Sequence, residues 1–319
     1  VNAALRCVCS APAKLNTRLE VLGRRDDGFH ELVTDMVAIA PCDLVEVRAV
    51  ARDEGRVPLV VEGPAASDDV RGAADDNLAV RAVRGYLAAA RALDPHAADL
   101  AFAVRLLKLV PSRAGLGGAS ADAAAALLAC DEVVAARGGR RLGPARLLEL
   151  AAAHGSDTVF FLAARFGGVG TARGRGERVA ARGPAPRRDA WFALVVPDLG
   201  CSTPAVYGAF ADGARGPRAG SPRRNDLERA ALAVEPALAD WFDALGPRFG
   251  LSGSGAALFA AAADAREAQA LVDDAARAAA RLGRTPRLVV ATRALGHGVR
   301  PLVVPGSAPG TKPGTRSVA

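Results

Sequence analysis

Apolar positions along this chain follow two spacings. Short runs with polar neighbours at every second position mark strands, and Ala- and Leu-rich stretches with a period near 3.6 mark helices. Residues 5–9 and 19–22 are expected as short strands around a polar stretch. Residues 32–39 and 43–50 follow as two more, the second alternating through Val45 and Val47. Residues 51–76 are rich in Asp, Gly and Pro, with one short strand at 58–62. Asp76 stands at the N-cap position of an Ala-rich helix over 78–93. Phe102, Val104 and Leu106 alternate within a strand spanning 100–110. A Gly-bearing loop, 111–118, then leads to helices over 120–136 and 144–154.

Gly and Arg accumulate over 164–176, which marks a change of unit. Trp191 to Val196 reads as a strand, and 210–224 as an exposed Gly-, Pro- and Arg-rich loop. A helix over 226–245 is broken at Pro236, and 250–261 is a strand with a Gly/Ser loop inside it. Residues 264–282 form a helix and 287–291 a strand, and the tail from about 305 is expected to be disordered. Strands and helices interleave, so the class is α/β (α+β). A chain of 319 residues has room for about two domains. The expected division is 1–165, 166–300 and a tail at 301–319.

Half the residues are apolar and 24% are charged, which excludes a disordered chain, a coiled coil and a collagen-like fibre. No run approaches the ~20 apolar residues of a membrane span, and residues 1–10 show no secretory pattern. A cytoplasmic protein without a membrane partner is expected. The net charge is +7, but only Lys14, Lys108 and Lys312 among the 41 basic residues are lysines. Arginine is therefore read as filling ordinary surface positions under a GC-rich coding bias, not as a nucleic-acid surface.

In that background a lysine or asparagine draws attention, as do the two tyrosines, Tyr86 and Tyr207. The asparagines are Asn2, Asn16, Asn77 and Asn225. Five cysteines without a CxxC pair read as free thiols in a reducing compartment. Cys7 and Cys9 share a strand face but have no matching pair for zinc. Cys201 would need a His partner to act as a nucleophile.

The sharpest feature is Pro111-Ser112-Arg113-Ala114-Gly115-Leu116-Gly117-Gly118-Ala119-Ser120-Ala121-Asp122, between a strand and a helix. Glycines there permit positive φ and close approach of an anion, and the helix start offers free N–H groups. Ser120 adds a hydroxyl for a phosphate or a metal. No lysine follows the glycines, so this is not a Walker A loop. Ser120 stands where a dinucleotide fingerprint has its third glycine. On the loop alone, a tight turn and a phosphate site are equally open.

Two further segments accompany it: Ala11-Pro12-Ala13-Lys14-Leu15-Asn16, and Leu251-Ser252-Gly253-Ser254-Gly255-Ala256. Together the three resemble the GHMP kinase superfamily, whose members phosphorylate small molecules with ATP. Gly23-Arg24-Arg25-Asp26-Asp27-Gly28-Phe29-His30-Glu31-Leu32 resembles a motif of one family within it. Asp76-Asn77-Leu78, Lys108, Gly155-Ser156-Asp157, Cys201-Ser202-Thr203 and Asn225-Asp226-Leu227-Glu228 fit the same family in order. Its members phosphorylate the 2-hydroxyl of 4-diphosphocytidyl-2-C-methyl-D-erythritol in the non-mevalonate isoprenoid pathway. Ala119, Phe29 and Thr158-Val159 depart from the usual glycine, tyrosine and Val-Pro.

The resemblance implies a two-domain GHMP kinase fold, with a ribosomal S5 domain 2-like N-terminal domain, a ferredoxin-like C-terminal domain and the site between them. It implies Asp157 as the base, with Lys14 holding it ionised and stabilising charge on the transferred phosphoryl. Asn16 contacts substrate or orients Lys14. Phe29, His30, Thr203 and Tyr207 take the acceptor, aromatic rings flanking its cytosine. Asn77 and Lys108 match positions that contact adenosine; their structural alternatives are a helix-start residue and an exposed strand residue. Pro111, Arg113, Ala114, Gly115, Leu116, Gly117, Gly118, Ala119 and Ser120 take the ATP phosphates.

Mg²⁺ is implied with ATP, resting on phosphates, water and Ser120 without a protein metal cluster. The partner is a cytidine diphosphate conjugate, and the chain a monomer or homodimer. A homoserine or mevalonate kinase is the alternative enzyme, but those lack Gly28-Phe29-His30. A non-enzymatic RNA- or anion-binding protein is the other alternative, against which Lys14, Asp157 and the glycine loop argue together.

Overall fold

The structure, a computed structural model, describes residues 5–51, 56–67, 72, 74–94, 97, 99–181 and 190–303. Two long strands organise the first lobe. β1 (Arg6–Arg24) runs through the polar stretch as one 19-residue strand, and β2 (His30–Ala49) runs through Pro41. The four short strands expected are thus two paired antiparallel. Register shifts after Pro12, Asn16 and Val21 let the ribbon bend, and successive stretches face different layers. Cys7, Cys9 and Ala11 lie in the first lobe's core, Ala13 and Leu15 in a core between lobes, and Leu19 in the second lobe's core. A polar stretch survives as strand because each of its side chains finds a partner across one of these seams.

β3 (Leu59–Glu62) follows, then a 3₁₀ turn at Ala74–Asp76 and α1 (Leu78–Leu93). Asn77, not Asp76, caps α1: its Oδ1 accepts the Ala79 N–H at 3.0 Å. Asp76 is instead the last residue of the 3₁₀ turn. β4 (Phe102–Leu107) precedes α2 (Gly118–Ala136), α3 (Gly143–His154) and α4 (Ser156–Ala163). α2 buries nearly every side chain from Ala121 to Val134, which its Ala-rich sequence allows at close helix spacing. β5 (Val169–Gly174) pairs with the first half of β2 and β6 (Arg178–Ala181) with β5.

The second lobe is built on β7 (Trp191–Val196), α5 (Thr203–Ala211), α6 (Glu228–Val234), α7 (Leu238–Leu245), β8 (Gly250–Leu251), β9 (Leu258–Ala262), α8 (Ala265–Arg281) and β10 (Leu288–Arg293). Its antiparallel order, β10-β7-β9-β8, is that of a ferredoxin-like sheet. β11 (Arg300–Val303) then returns to the first sheet beside β1, giving the path β11-β1-β2-β4-β3 with β5 and β6 alongside.

Sheet membership moves the expected lobe boundary from 165/166 to the stretch between β6 and β7. The Gly-rich segment read as a change of unit because β5 buries Gly170, Ala172 and Gly174, residues too small to register as an apolar face. Pro301 to Val303, expected in the tail, are strand. The remainder of that tail lies outside the described residues. No helix among the described residues is long and apolar enough to cross a membrane.

The lobes meet through a buried cluster that includes Ala13, Leu15, Ile39, Leu116, Leu194 and Phe259. Phe259 is fully buried and packs edge-on against Phe192, ring centroids 6.0 Å apart. Phe259→Ala is expected to cost about 3–5 kcal/mol. Urea denaturation checks this; a loss below about 1 kcal/mol would show that the lobes are not joined through this cluster.

Candidate active site

Strand alternation places Lys14 and Asn16 opposite Ala13 and Leu15. With the apolar pair fixed in the interlobe core, the polar pair faces the glycine loop. Lys14 has a side chain only 5% exposed. Its Nζ donates to Asn16 Oδ1 and to the Gly115 carbonyl at 2.8 Å, and lies 3.5 Å from Asp157 Oδ2. Asn16 in turn donates from Nδ2 to Thr34 Oγ1 at 2.8 Å, and Thr34 donates to the Arg18 carbonyl at 2.7 Å. Asn16 therefore orients Lys14. Asp157 opens α4 behind Gly155 and stays one-third exposed, so it presents a carboxylate to the cavity. Thr158 beside it is buried.

The glycine loop lies between β1 and the small-residue loop of the second lobe. The Lys14 N–H donates to the Leu116 carbonyl at 2.9 Å, and Ala257 N–H to the Ala114 carbonyl at 2.9 Å. Ser252 Oγ donates to the Gly115 carbonyl at 3.2 Å and accepts the Asn16 N–H at 3.3 Å. Gly115 and Gly117 have φ of 73° and 71°, and Gly117 begins α2. The first intrahelical bond runs from Ala121 N–H to the Gly117 carbonyl, so Gly118, Ala119 and Ser120 offer N–H groups without a helical acceptor. A Cβ on Gly117 would press on Lys14 Cγ and Cε at 3.1 Å and on Phe161 at 3.2 Å.

Lys108 is neither exposed nor unpaired. Its ammonium is buried between Asp43 and Asp122, on residues 65 and 14 positions away. Burial opposes its charge, but Asp122 and Asp43 outweigh that and raise Lys108 above the ordinary lysine value. Burial and the Asp43 charge push Asp122 up to about 7, against the pull of Lys108. Asp43 Oδ1 also accepts the N–H groups of Leu109 and Val110, which tethers the segment between β4 and the glycine loop. Asp122 Oδ1 has no hydrogen-bond partner.

At the other end, His30 and Tyr207 stack with centroids 5.2 Å apart and planes 28° apart, and Phe210 meets His30 edge-on. No base fits between His30 and Tyr207, whose rings are already in contact. Phe29 stands apart, 53% exposed, with the Arg175 guanidinium 4.8 Å from its ring centroid. Burial, with Arg24 and Arg215, lowers His30, which keeps it neutral near pH 7. Burial and the Asp157 charge raise Tyr207. Thr203 Oγ1 and Ser254 Oγ share a hydrogen bond at 2.8 Å.

One cavity of about 1160 Å³ is lined by Lys14, Asn16 and Asp157, by Asn77, Lys108 and Pro111 to Ser120, and by Phe29, His30, Thr203 and Tyr207. The cap on α1 uses only the Oδ1 of Asn77. Sequence reasoning missed Asp43, Thr34 and Arg175. A lone Asp within an apolar strand was the available signal for Asp43; among so many arginines Arg175 carried none.

Among the described residues no cluster of three His, Cys, Asp or Glu side chains could hold a metal. All five cysteines are free. Cys201 is buried and its thiol is pushed up to about 11, first by burial, so it is no nucleophile at neutral pH.

Residues 77–165 match the family described as GHMP kinases N terminal domain. The 4-diphosphocytidyl-2-C-methyl-D-erythritol kinase of Salinispora tropica is 38% identical over 284 residues, 81% of this chain and 84% of that one. A crystal structure of a 4-(cytidine 5'-diphospho)-2C-methyl-D-erythritol kinase is similar at a TM-score of 0.65 and 28% identity, over 90% of this chain and 99% of that one. A homoserine kinase from Cytophaga hutchinsonii gives a TM-score of 0.66 at 16% identity, over 95% and 99%, a likeness of fold alone.

The glycine loop and the second lobe are in close contact at Gly115, where a Cβ would fall 2.3 Å from the Ser252 carbonyl oxygen. Gly138 has a similar φ of 77° but open space around it. Gly115→Ala is therefore expected to destabilise the fold by clearly more than the ~1 kcal/mol of backbone strain that Gly138→Ala incurs. Paired thermal melts check this, and equal losses would show that the contact is not tight.

Proposed function

The chain belongs to the family of 4-diphosphocytidyl-2-C-methyl-D-erythritol kinases within the GHMP kinases, and on that premise we propose how its own residues carry the reaction. It is a small-molecule kinase that moves the γ-phosphoryl group of ATP to the 2-hydroxyl of 4-diphosphocytidyl-2-C-methyl-D-erythritol. The observation that carries the proposal is the Lys14–Asp157 pair, 3.5 Å apart, within a cavity that also holds a phosphate-type loop and an aromatic cluster.

Asp157 accepts the proton of the 2-hydroxyl as the new O–P bond forms and the β–γ bond breaks. Lys14, held by Asn16 and the Gly115 carbonyl, faces both Asp157 and the charge on the transferring group. The N–H groups of Gly118, Ala119 and Ser120 hold phosphate oxygens at the positive end of α2. Asn77 sits at the edge of the nucleotide part. Mg²⁺, when bound, would supply charge neutralisation for the transferring phosphoryl group. The hydroxyl of Ser120 and the unpartnered Asp122 Oδ1 are the oxygens suited to hold it or its waters.

The aromatic end supports a nucleoside acceptor over a bare hydroxy acid. A cytosine ring stacks on the open face of Phe29, walled by the His30–Tyr207 pair. Neutral His30 can donate and accept at the base edge. The Thr203–Ser254 hydroxyl pair adds polar contacts. Five free thiols fit a reducing, cytoplasmic setting.

Asp157→Asn and Lys14→Met are each expected to lower kcat by about 100-fold or more, with little change in either KM. The double variant should be scarcely worse than either single one, because the pair acts as a unit. A coupled ADP-release assay reads this, and near-normal turnover by Asp157→Asn would place the base elsewhere. Tyr207→Ala is expected to raise the acceptor KM about tenfold while leaving that for ATP unchanged. If homoserine or free methylerythritol is phosphorylated as readily as the cytidyl conjugate, the acceptor assignment fails and the kinase assignment stands.

A further inference from the structure

The turn between β5 and β6, Gly174-Arg175-Gly176-Glu177, borders the acceptor part of the cavity. Gly174 and Gly176 have φ of 77° and 109°, and Glu177 Oε2 accepts the Arg175 N–H at 2.6 Å, which fixes the turn. Gly176 abuts α4: a Cβ there would lie 3.0 Å from Cβ of Ser156, the neighbour of Asp157. Arg175 extends the other way, its guanidinium over the Phe29 ring. Both Arg175 and Gly176 line the cavity. The turn therefore spans the distance from the reacting carboxylate to the exposed aromatic face.

We propose that Arg175 is a specificity-determining residue that binds the diphosphate of the cytidine diphosphate acceptor. The proposal rests on the acceptor assignment made above. In such a molecule the diphosphate joins the base to the alcohol. With the base on Phe29 and the hydroxyl at Asp157, the two phosphates must cross the gap that this turn borders. A guanidinium stacked on a ring keeps its in-plane N–H donors at the rim, where their fork matches phosphate oxygens. Those donors make no hydrogen bond to another described side chain, and the Asp27 carboxylate nearby is engaged by Arg25 at 3.1 Å. Arg24 lines the same cavity and adds a second cation.

The competing possibility is that Arg175 merely covers Phe29. That role would affect base binding and be indifferent to phosphate. Calorimetric titration of the full-length enzyme with cytidine and with CDP separates the two. The native enzyme is expected to prefer CDP. Arg175→Ala should reduce that preference about 10- to 100-fold, as loss of a charge-assisted hydrogen bond does, and leave cytidine affinity within about threefold. Arg175→Met, which keeps an apolar stem on Phe29, should behave the same way, and the acceptor KM should rise in step while the ATP KM holds. An unchanged CDP-to-cytidine ratio, or equal weakening of both ligands, overturns this proposal alone. A native enzyme that binds neither ligand overturns the acceptor assignment and this proposal with it.

Discussion

A buried ammonium at the seam between lobes is the constraint on which the rest of the site depends. Lys14 cannot be stable there as an isolated charge, because removal from water costs several kcal/mol for an unpaired ion. Its partners come from three places in the chain: Asn16 on the same strand, the Gly115 carbonyl in the glycine loop, and Asp157 at the start of α4. Satisfying one side chain therefore fixes β1, the loop and α4 relative to one another. The apolar residues on the other face, Ala13 and Leu15, do the same for the second lobe.

The second buried cation works in parallel. Lys108, just past the end of β4, joins Asp43 of β2 and Asp122 of α2, so the two elements that flank the glycine loop are tied to each other and to β2. Asp43 also accepts the N–H groups of Leu109 and Val110, on the segment between β4 and that loop. The loop is thus held at its entry by a charge cluster, along its length by Lys14 and Ser252, and at its exit by the first turn of α2. Free N–H groups on a rigid mount are what phosphate binding requires, since the donors are already oriented before the anion arrives. The acceptor part is built differently. Its aromatic rings come from both lobes: Phe29 is exposed, His30 and Tyr207 are half-buried, and Phe210 and the two glycines of the β5–β6 turn are buried.

Parts of this were legible in the residues. The glycine loop declared itself because only glycine takes positive φ without strain, and the structure uses that freedom at Gly115 and Gly117. Lys14 and Asn16 stood out because lysine and asparagine are rare in this chain. Tyr207 stood out as one of two tyrosines, and Phe29 and His30 through the resemblance of residues 23–32 to a family motif. Alternation and helical periodicity located most elements, because they report which face of a segment is buried.

What periodicity could not report was how the elements meet. The polar middle of β1 interrupts the apolar pattern, and only its partners across the seam make it strand. β5 pairs with β2 and buries only Gly170, Ala172 and Gly174, so its membership in the first sheet left no apolar trace. For Lys108 an adenosine contact and an exposed strand position were both open, and neither reading held the ion pair that Asp43, 65 residues earlier, makes with it. The contact between His30 and Tyr207, which changes how a base can sit, joins residues on different lobes. The sequence by itself determined the local chemistry, meaning backbone freedom, side-chain type and the buried face of each element. The tertiary structure alone decided the pairings, because buried charges and stacked rings are satisfied by neighbours in space that local sequence does not encode.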